Sequence, residues 1–109
     1  MKIKTRELIG APLDWAVAKC EGIVEGNDHD IGFILEGGYT PTTNWAQGGP
    51  IIEREKITLR IWDDEDCVHA YIDTGKDWFE GPTPLIAAMR CYVASKMGNE
   101  VQLPEELNN

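Results

Sequence analysis

The chain has 109 residues, enough for one domain with a real hydrophobic core and too few for two ordinary domains. It carries 19 acidic and 10 basic residues, and the resulting net charge of −9 disfavours a protein that binds the phosphate backbone of nucleic acids. No stretch approaches the roughly 18 apolar residues of a membrane span, and Pro12 and Asp14 interrupt any signal-peptide core. Three widely spaced cysteines without a CxxC pair indicate free thiols. We therefore expect a cytoplasmic protein that binds neither membranes nor nucleic acids.

The N-terminal segment predicts a short strand followed by a helix. Residues 1–5 alternate apolar and basic side chains, which is typical of a strand. A helix is expected over residues 12–21, because Pro12 suits a first turn and apolar residues follow at helical spacing. Trp15 points away from that apolar stripe, so it either packs under a neighbouring loop or is exposed. The buried stripe is expected to contain Leu13, Ala16, Val17 and Cys20.

Residues 23–50 predict a turn, a strand and a long loop. The turn is centred on Gly26, and residues 30–36 then place Ile31, Phe33 and Leu35 on one side of a short strand. Residues 37–50 contain four glycines and two prolines without periodicity. Because loops of that length are uncommon in small domains and often bind ligands, we expect a binding loop here.

The clearest pattern is a β-hairpin formed by residues 57–62 and 67–73. Pairing about a turn at residues 63–66 sets Arg60 opposite His69 and Leu59 opposite Ala70. One face of this hairpin is wholly aliphatic and must be covered, whereas the other carries Trp, Arg, His and Tyr side chains. A shift of one residue would bury those polar groups, so the register is well specified.

The C-terminal third predicts a second helix and an edge strand. Thr83 is a good N-cap, Pro84 suits the first helical position, and Gly98 ends the helix. Residues 100–103 predict an edge strand, and an acidic tail from about residue 104 is expected to be frayed. Together the elements predict a single domain over residues 1–109 of the α+β class, a small antiparallel sheet with two helices packed on one face.

A ligand site is expected where the long loop meets the start of the second helix. A tight turn at Gly48 and Gly49 would bring backbone N–H groups close to a ligand, and the N-terminus of a helix capped by Thr83 favours anions. Aromatic residues of the loop could stack on a planar group, and Arg90 or Arg54 could donate hydrogen bonds. The alternative is an ordinary turn with Trp45 filling the core. The predicted site comprises Tyr39, Asn44, Trp45, Gln47, Gly48, Gly49, Thr83 and Arg90.

Other clusters of reactive side chains favour structural roles. Residues 28–30 (Asp-His-Asp) and 63–66 (Asp-Asp-Glu-Asp) contain metal-ligand types but lack EF-hand spacing, and they are typical of solvated turns. His69 is expected on the surface beside Arg60 and Tyr71. Cys67 and His69 share one face of a strand, but at about 6–7 Å between their Cβ atoms they are expected to be too far apart for a catalytic pair. We therefore expect no catalytic residue, metal or cofactor, and a non-enzymatic protein.

Four segments in this order resemble the NinX family of lambdoid phages and prophages, a domain of unknown function. They are residues 13–18 (LDWAVA), 39–41 (YTP), 45–55 (WAQGGPIIERE) and 81–96 (GPTPLIAAMRCYVASK). The family pattern commonly has Asp before Trp45, where this chain has Asn44. The resemblance implies a small phage accessory protein made in an infected bacterium, and it supplies no catalytic residues.

Three hypotheses about function remain open at this point. The leading one is a protein that captures a small, anionic and planar, nucleotide-like ligand, so that the phage sequesters a host signalling molecule or metabolite. The alternative is an acidic module that inhibits a host protein. The third and least favoured is a small hydrolase, because the sequence shows no set of nucleophile, base and orienting residue. Four Trp residues favour a core or an oligomer interface over a stacking site, which makes a homodimer a further expectation.

Overall fold

A computed structural model of the chain describes residues 2–25, 27–61, 67–72 and 77–107. The helices and strands are, in chain order, β1 (Lys2–Lys4), α1 (Ala11–Cys20), α2 (Asp28–Leu35), α3 (Trp45–Glu55), β2 (Ile57–Ile61), β3 (Val68–Ile72), β4 (Trp78–Gly81), α4 (Pro84–Met97) and β5 (Glu100–Gln102). Short 3₁₀ turns follow β1 and β5. The α+β class and the antiparallel sheet are confirmed.

Helix α4 lies at the centre of the molecule. It packs on all three strands of the sheet β2-β3-β4 and also contacts α1 and α3. Of the two predicted helices, α4 therefore lies directly on the sheet, and α1 packs on α4. Almost every turn of α4 is covered, and its buried residues are Leu85, Ile86, Ala87, Ala88, Met89, Cys91, Tyr92 and Val93.

The hairpin and the caps of α4 are as predicted. In the register, Ile57 pairs with Ile72 and Arg60 with His69, as the alternating pattern requires. The Thr83 hydroxyl accepts a hydrogen bond from the Ile86 amide, and Gly98 ends α4 at a φ of 87°. Trp62, the turn at residues 63–66 and Asp73 lie outside the described residues.

The predicted strand at residues 30–36 is wrong, because this segment forms helix α2. The Asn27 side chain accepts a hydrogen bond from the Asp30 amide and so caps the helix. Ile31 and Ile34, three residues apart, are buried, whereas Phe33 is 39 % exposed. The apolar residues of this short segment fit both the two-residue period of a strand and the spacing of a helix. The Asn27 cap decides in favour of the helix. Gly26, the centre of the predicted turn, lies outside the described residues.

The predicted loop at residues 37–50 is wrong from residue 45, because the diglycine lies inside helix α3. The Asn44 side chain accepts a hydrogen bond from the Ala46 amide at 2.9 Å and caps this helix. Asn followed three residues later by Gln47 is a helix-start pattern, and here it outweighs the unfavourable intrinsic propensities of two glycines and Pro50. The segment keeps its irregular structure only before the cap, with turns at residues 36–37 and 41–43.

The third strand, β4, is an element that the sequence analysis did not identify. It pairs with β3 and brings Glu80 opposite His69 and Trp78 opposite Tyr71. Its exposure alternates residue by residue, which is the period of a strand. The strand ends at Gly81, where an added Cβ would lie 2.5 Å from the Ala87 backbone nitrogen, so only glycine allows this close approach to α4.

The two ends of the described chain are joined. β1 and β5 form a separate antiparallel pair, which confirms the predicted edge strand. The Thr5 hydroxyl, fully buried, donates a hydrogen bond of 2.7 Å to the Gly98 carbonyl at the end of α4. The sequence analysis expected a frayed tail from about residue 104. Instead, Glu105–Leu107 forms a 3₁₀ turn, and Leu107 is 2 % exposed.

Two neighbouring glycines of α3 should respond oppositely to alanine. A Cβ on Gly48 would lie 2.5 Å from the Leu85 side chain and 2.5 Å from the Pro41 carbonyl oxygen. We expect Gly48→Ala to lower the free energy of unfolding by about 1–3 kcal/mol, because a backbone atom cannot move aside cheaply. The matched control is Gly49→Ala, whose Cβ would meet only Trp45 at 3.9 Å.

For Gly49→Ala, the gain in helix propensity is opposed by crowding before Pro50, so its free energy of unfolding should stay within about 1 kcal/mol of the wild type. Urea denaturation of the two variants checks the pair. Equal stability of the two variants would contradict the close contacts of Gly48 with Pro41 and Leu85.

Candidate functional site

The predicted loop and the start of α4 lie in contact, and the Leu85 side chain leaves no room for a ligand between them at Gly48. The contacts of Gly48 with Leu85 and Pro41 fill this space with protein atoms. The Gly48 amide donates a hydrogen bond to the Asn44 carbonyl at 2.9 Å, as in any helix. The tight turn predicted at the diglycine is therefore wrong, and Gly48 cannot offer its N–H to an anion.

The polar side chains of the predicted site are engaged within the protein. Gln47 accepts a hydrogen bond from the Thr40 amide at 2.7 Å, and Thr83 accepts one from Ile86 at 3.2 Å. Trp45 is 55 % exposed, so the alternative in which it fills the core is wrong. Tyr39 is half-buried, and burial raises its pKa to about 12. Trp45 and Tyr39 remain the accessible aromatic groups of this segment.

Buried contacts from α1 hold the segment before α3 in place. Asp14, which is 6 % exposed, accepts hydrogen bonds from the Thr42 amide and hydroxyl at 3.1 and 2.7 Å. Burial raises the pKa of Asp14, although both hydrogen bonds favour its charged form. Trp15 is buried, which settles the choice left open for it, and its Nε1 has no hydrogen-bond partner among the described residues.

Arg54 is not free to bind an anion. Its guanidinium donates two hydrogen bonds to the Glu21 carboxylate, at 3.0 and 2.6 Å, and a third to Glu55 at 2.9 Å. Tyr92, 1 % exposed, donates its hydroxyl proton to the same Glu21 carboxylate. These bonds lower the pKa of Glu21, chiefly through Arg54, and join the ends of α1 and α3 to α4. Lys96, 3.6 Å from Glu55, extends this charged network.

Arg90 lies away from the loop, in a cleft beside β4. Its Nε donates to the Leu8 carbonyl at 2.8 Å and its Nη1 to the Glu80 carbonyl at 2.6 Å. Burial lowers its pKa from the usual arginine value. The eight residues of the predicted site therefore do not form one site. Arg90 lines this cleft, whereas the segment from Tyr39 to Gly49 contributes nothing to its lining.

The cleft has a volume of about 510 Å³ and combines an indole with both signs of charge. Trp78 is 59 % exposed and offers a flat apolar surface. Two arginines and two carboxylates also line the cleft. The residues that line the cleft are Arg6, Asp77, Trp78, Phe79, Glu80, Arg90 and Asn99. Apart from Arg90, the sequence analysis missed them, and for Trp78, Phe79 and Glu80 the reason is that β4 was not recognised.

A second cluster adjoins the cleft, formed by Cys67, His69 and Glu80. The Cys67 sulfur lies 3.6 Å from His69 Nε2, and a Glu80 carboxylate oxygen lies 3.3 Å from the same nitrogen. The expectation that Cys67 and His69 are too far apart is wrong, because the imidazole reaches across the distance between the Cβ atoms. His69 is 5 % exposed rather than on the surface, and the Trp78 ring packs against it edge-on at 4.4 Å.

Of the two segments predicted as solvated turns, the structure describes only residues 28–30. Residues 28–30 begin helix α2, where Asp30 also accepts a hydrogen bond from the Glu25 amide at 2.7 Å. Residues 63–66 lie outside the described residues. Among the described residues, no helix combines the length and apolar character needed to cross a bilayer.

Comparison with known proteins identifies one family. A family model described as “Bacteriophage P22, NinX” matches residues 4–96. The match includes all four helices except the last residue of α4, together with the three-stranded sheet. It therefore covers the Cys67, His69 and Glu80 cluster and all residues lining the cleft except Asn99. None of the curated proteins compared with the chain matches it.

The charged network predicts a stability that depends on pH. We expect Tyr92→Phe to lower the free energy of unfolding by about 1–2 kcal/mol near neutral pH, because it removes a buried hydrogen bond to a charged group. The pKa of Glu21 is lowered from its ordinary value of 4.5, so the charge that strengthens this bond is present above that value and lost as the pH falls through the folded-state pKa.

The difference between wild type and Tyr92→Phe should therefore shrink in acid. Urea denaturation at about pH 7 and about pH 3 measures it. Tyr39→Phe is the matched control, since the Tyr39 hydroxyl makes none of these bonds and its loss should matter little at either pH. A pH-independent difference for Tyr92→Phe would contradict the bond to the Glu21 carboxylate.

Proposed function

Because the chain belongs to the NinX family of bacteriophage P22, we propose that it is a phage accessory protein that captures a small, planar, anionic ligand without chemical turnover. The proposed binding place is the cleft beside β4, and the proposed compartment is the cytoplasm of the infected bacterium. Capture of a nucleotide-like host signalling molecule or metabolite would give such a protein a use during infection.

The observation that carries the proposal is the fixed guanidinium of Arg90 beside the exposed ring of Trp78. Two of the five N–H donors of Arg90 are held by the Leu8 and Glu80 carbonyls, which are neutral. The positive charge is therefore oriented but not neutralised by those two bonds, and the other donors are available to a phosphate or carboxylate. Exposed Arg6 brings a second positive charge to the same cleft.

The acidic side chains of the cleft narrow the class of ligand. Asp77 and Glu80 would repel a purely anionic molecule but accept hydrogen bonds from amino groups. Trp78 supplies a flat surface for stacking. A ligand with an anionic group at one end and a planar ring carrying amino groups at the other suits this combination, which describes an amino-bearing nucleotide.

Two alternatives keep specific support. The exposed indole of Trp45 stands beside Gly49, and a shallow groove lined by Gly49, Pro50, Glu53 and Arg54 lies on the same helix, so the ligand could bind there instead. An inhibitor of a host protein is the other alternative, supported by the net charge of −9. Such binding would weaken steeply with salt.

The experiment compares two tryptophans of similar exposure, Trp78 at 59 % and Trp45 at 55 %. Purified protein is screened against a nucleotide panel by native mass spectrometry, and the affinity for each hit is measured by calorimetry. We expect Trp78→Ala to weaken binding by about tenfold or more, since stacking on one aromatic ring is worth about 1–3 kcal/mol. Arg6→Ala should also weaken it, and Trp45→Ala should not.

The reverse pattern, with loss only in Trp45→Ala, would move the site to helix α3. Absence of any nucleotide bound to the wild type would overturn the proposal. A salt-sensitive host protein retained by wild type, Trp78→Ala and Trp45→Ala alike would favour the inhibitor instead.

A further inference from the structure

Three side chains of different chemistry converge on one face of the sheet beside the cleft. Cys67 and His69 are two residues apart, so they project to the same side, and the register of β3 with β4 sets Glu80 opposite His69. Their potential ligand atoms, a sulfur, a nitrogen and a carboxylate oxygen, all lie within 4.8 Å of one another. Two strands and the bend before β3 thus present a sulfur, nitrogen and oxygen donor set.

A single well-directed hydrogen bond accounts for only one of the two contacts of His69. The Cys67 sulfur at 3.6 Å and the Glu80 oxygen at 3.3 Å approach the same atom, Nε2. A protonated Nε2 carries one hydrogen and can be directed at only one of them. The distance to the carboxylate also exceeds the span of about 2.7–3.2 Å typical of N–H···O bonds.

Both distances agree with the edges of a tetrahedron around a metal ion. With Zn–S of about 2.3 Å and Zn–N or Zn–O of about 2.05 Å, a tetrahedral angle separates sulfur from nitrogen by about 3.6 Å and nitrogen from oxygen by about 3.3 Å. The observed 3.6 and 3.3 Å match these separations. The third separation, between the sulfur and the carboxylate oxygen, lies within 4.8 Å and would have to be about 3.6 Å for all three atoms to bind one tetrahedral ion.

We propose that Cys67, His69 and Glu80 bind a divalent transition metal ion of the zinc type. A thiolate and an imidazole select such an ion over Mg²⁺ or Ca²⁺, which prefer oxygen ligands. The imidazole is 7 % exposed and is held by the edge of Trp78, so one ligand is already oriented. The thiolate and the carboxylate together balance the charge of the ion.

Three protein ligands leave a fourth position open, and the cleft beside Glu80 is a space that can supply its occupant. The Glu80 side chain is 67 % exposed, and both Glu80 and Trp78 line the cleft. Zinc sites with three protein ligands hold water or a ligand in the fourth position, whereas structural sites are closed by four side chains. The proposed ion would therefore lie at the wall of the cleft, where an anionic group can reach it.

Cobalt provides a direct test, because tetrahedral Co²⁺ absorbs strongly in the visible range and a bound thiolate adds a charge-transfer band. Full-length reduced protein is titrated with CoCl₂ and then with ZnCl₂. We expect one Co²⁺ per chain, a tetrahedral spectrum with the thiolate band, and loss of both when Zn²⁺ displaces Co²⁺. This test needs neither the proposed nucleotide nor any activity.

Variants assign the ligands. Cys67→Ser should remove the thiolate band, whereas Cys20→Ser, which changes a half-buried thiol on α1, should leave it unchanged. Glu80→Gln should weaken Co²⁺ binding by about tenfold or more, because it removes one charged ligand from an exposed position without disturbing the core. Circular dichroism of each variant checks folding.

Three results would overturn the proposal. The first is a pale octahedral spectrum for the wild type, which indicates ions held by surface carboxylates. The second is no binding of Co²⁺ or Zn²⁺ at micromolar protein concentration. The third is a thiolate band that persists in Cys67→Ser.

Discussion

At the first turn of helix α4, two glycines allow closer packing than any other residue would, one against a side chain and the other against the backbone. Gly48 of α3 lies against Leu85, and Gly81 at the end of β4 lies against Ala87. These contacts cover α4 from two sides, while α1 and the sheet cover the rest. Because α4 is covered in this way, its long polar side chains reach solvent only at the edges of the covering elements. Arg90 and Tyr92 therefore leave the core at opposite places, one toward β4 and the other toward the ends of α1 and α3.

The two arginines near these borders differ in what neutralises them. Arg54 faces the carboxylates of Glu21 and Glu55, so its charge is balanced within the protein and serves to join helices. Arg90 is held by carbonyl groups, which orient the guanidinium but carry no net charge. The same side-chain chemistry thus produces a structural contact in one place and a charge available to a ligand in the other. This contrast is the reason why we propose a ligand site beside β4.

The third strand, β4, determines which side chains surround His69 on the polar face of the hairpin. Addition of β4 buries His69 under the edge of Trp78 and brings the Glu80 carboxylate within 3.3 Å of the imidazole. Cys67 lies on the same face, so nitrogen, oxygen and sulfur atoms gather beside the cleft. A metal ion in this position and a fixed arginine at the same cleft would both attract anionic groups, which links the two proposals through charge while leaving each to its own test.

By itself, the sequence determined the elements that strong local signals specify. The Thr83 cap and Gly98 set the ends of α4, and the alternating hairpin set its own register, because one shifted residue would bury polar groups. The sequence also identified the family and singled out Trp45, which the structure shows to be exposed. The pair Asn44 and Gln47 is a local signal from which the start of helix α3 could have been predicted. The glycines and the proline that follow favour a loop by intrinsic propensity, and tertiary packing overrides that preference. Only the tertiary structure decided which polar residues meet, since Arg90, Glu80 and His69 are brought together by strand pairing and helix packing. Contacts between residues distant in sequence depend on how surfaces bury one another, and no local pattern of residues encodes that distance.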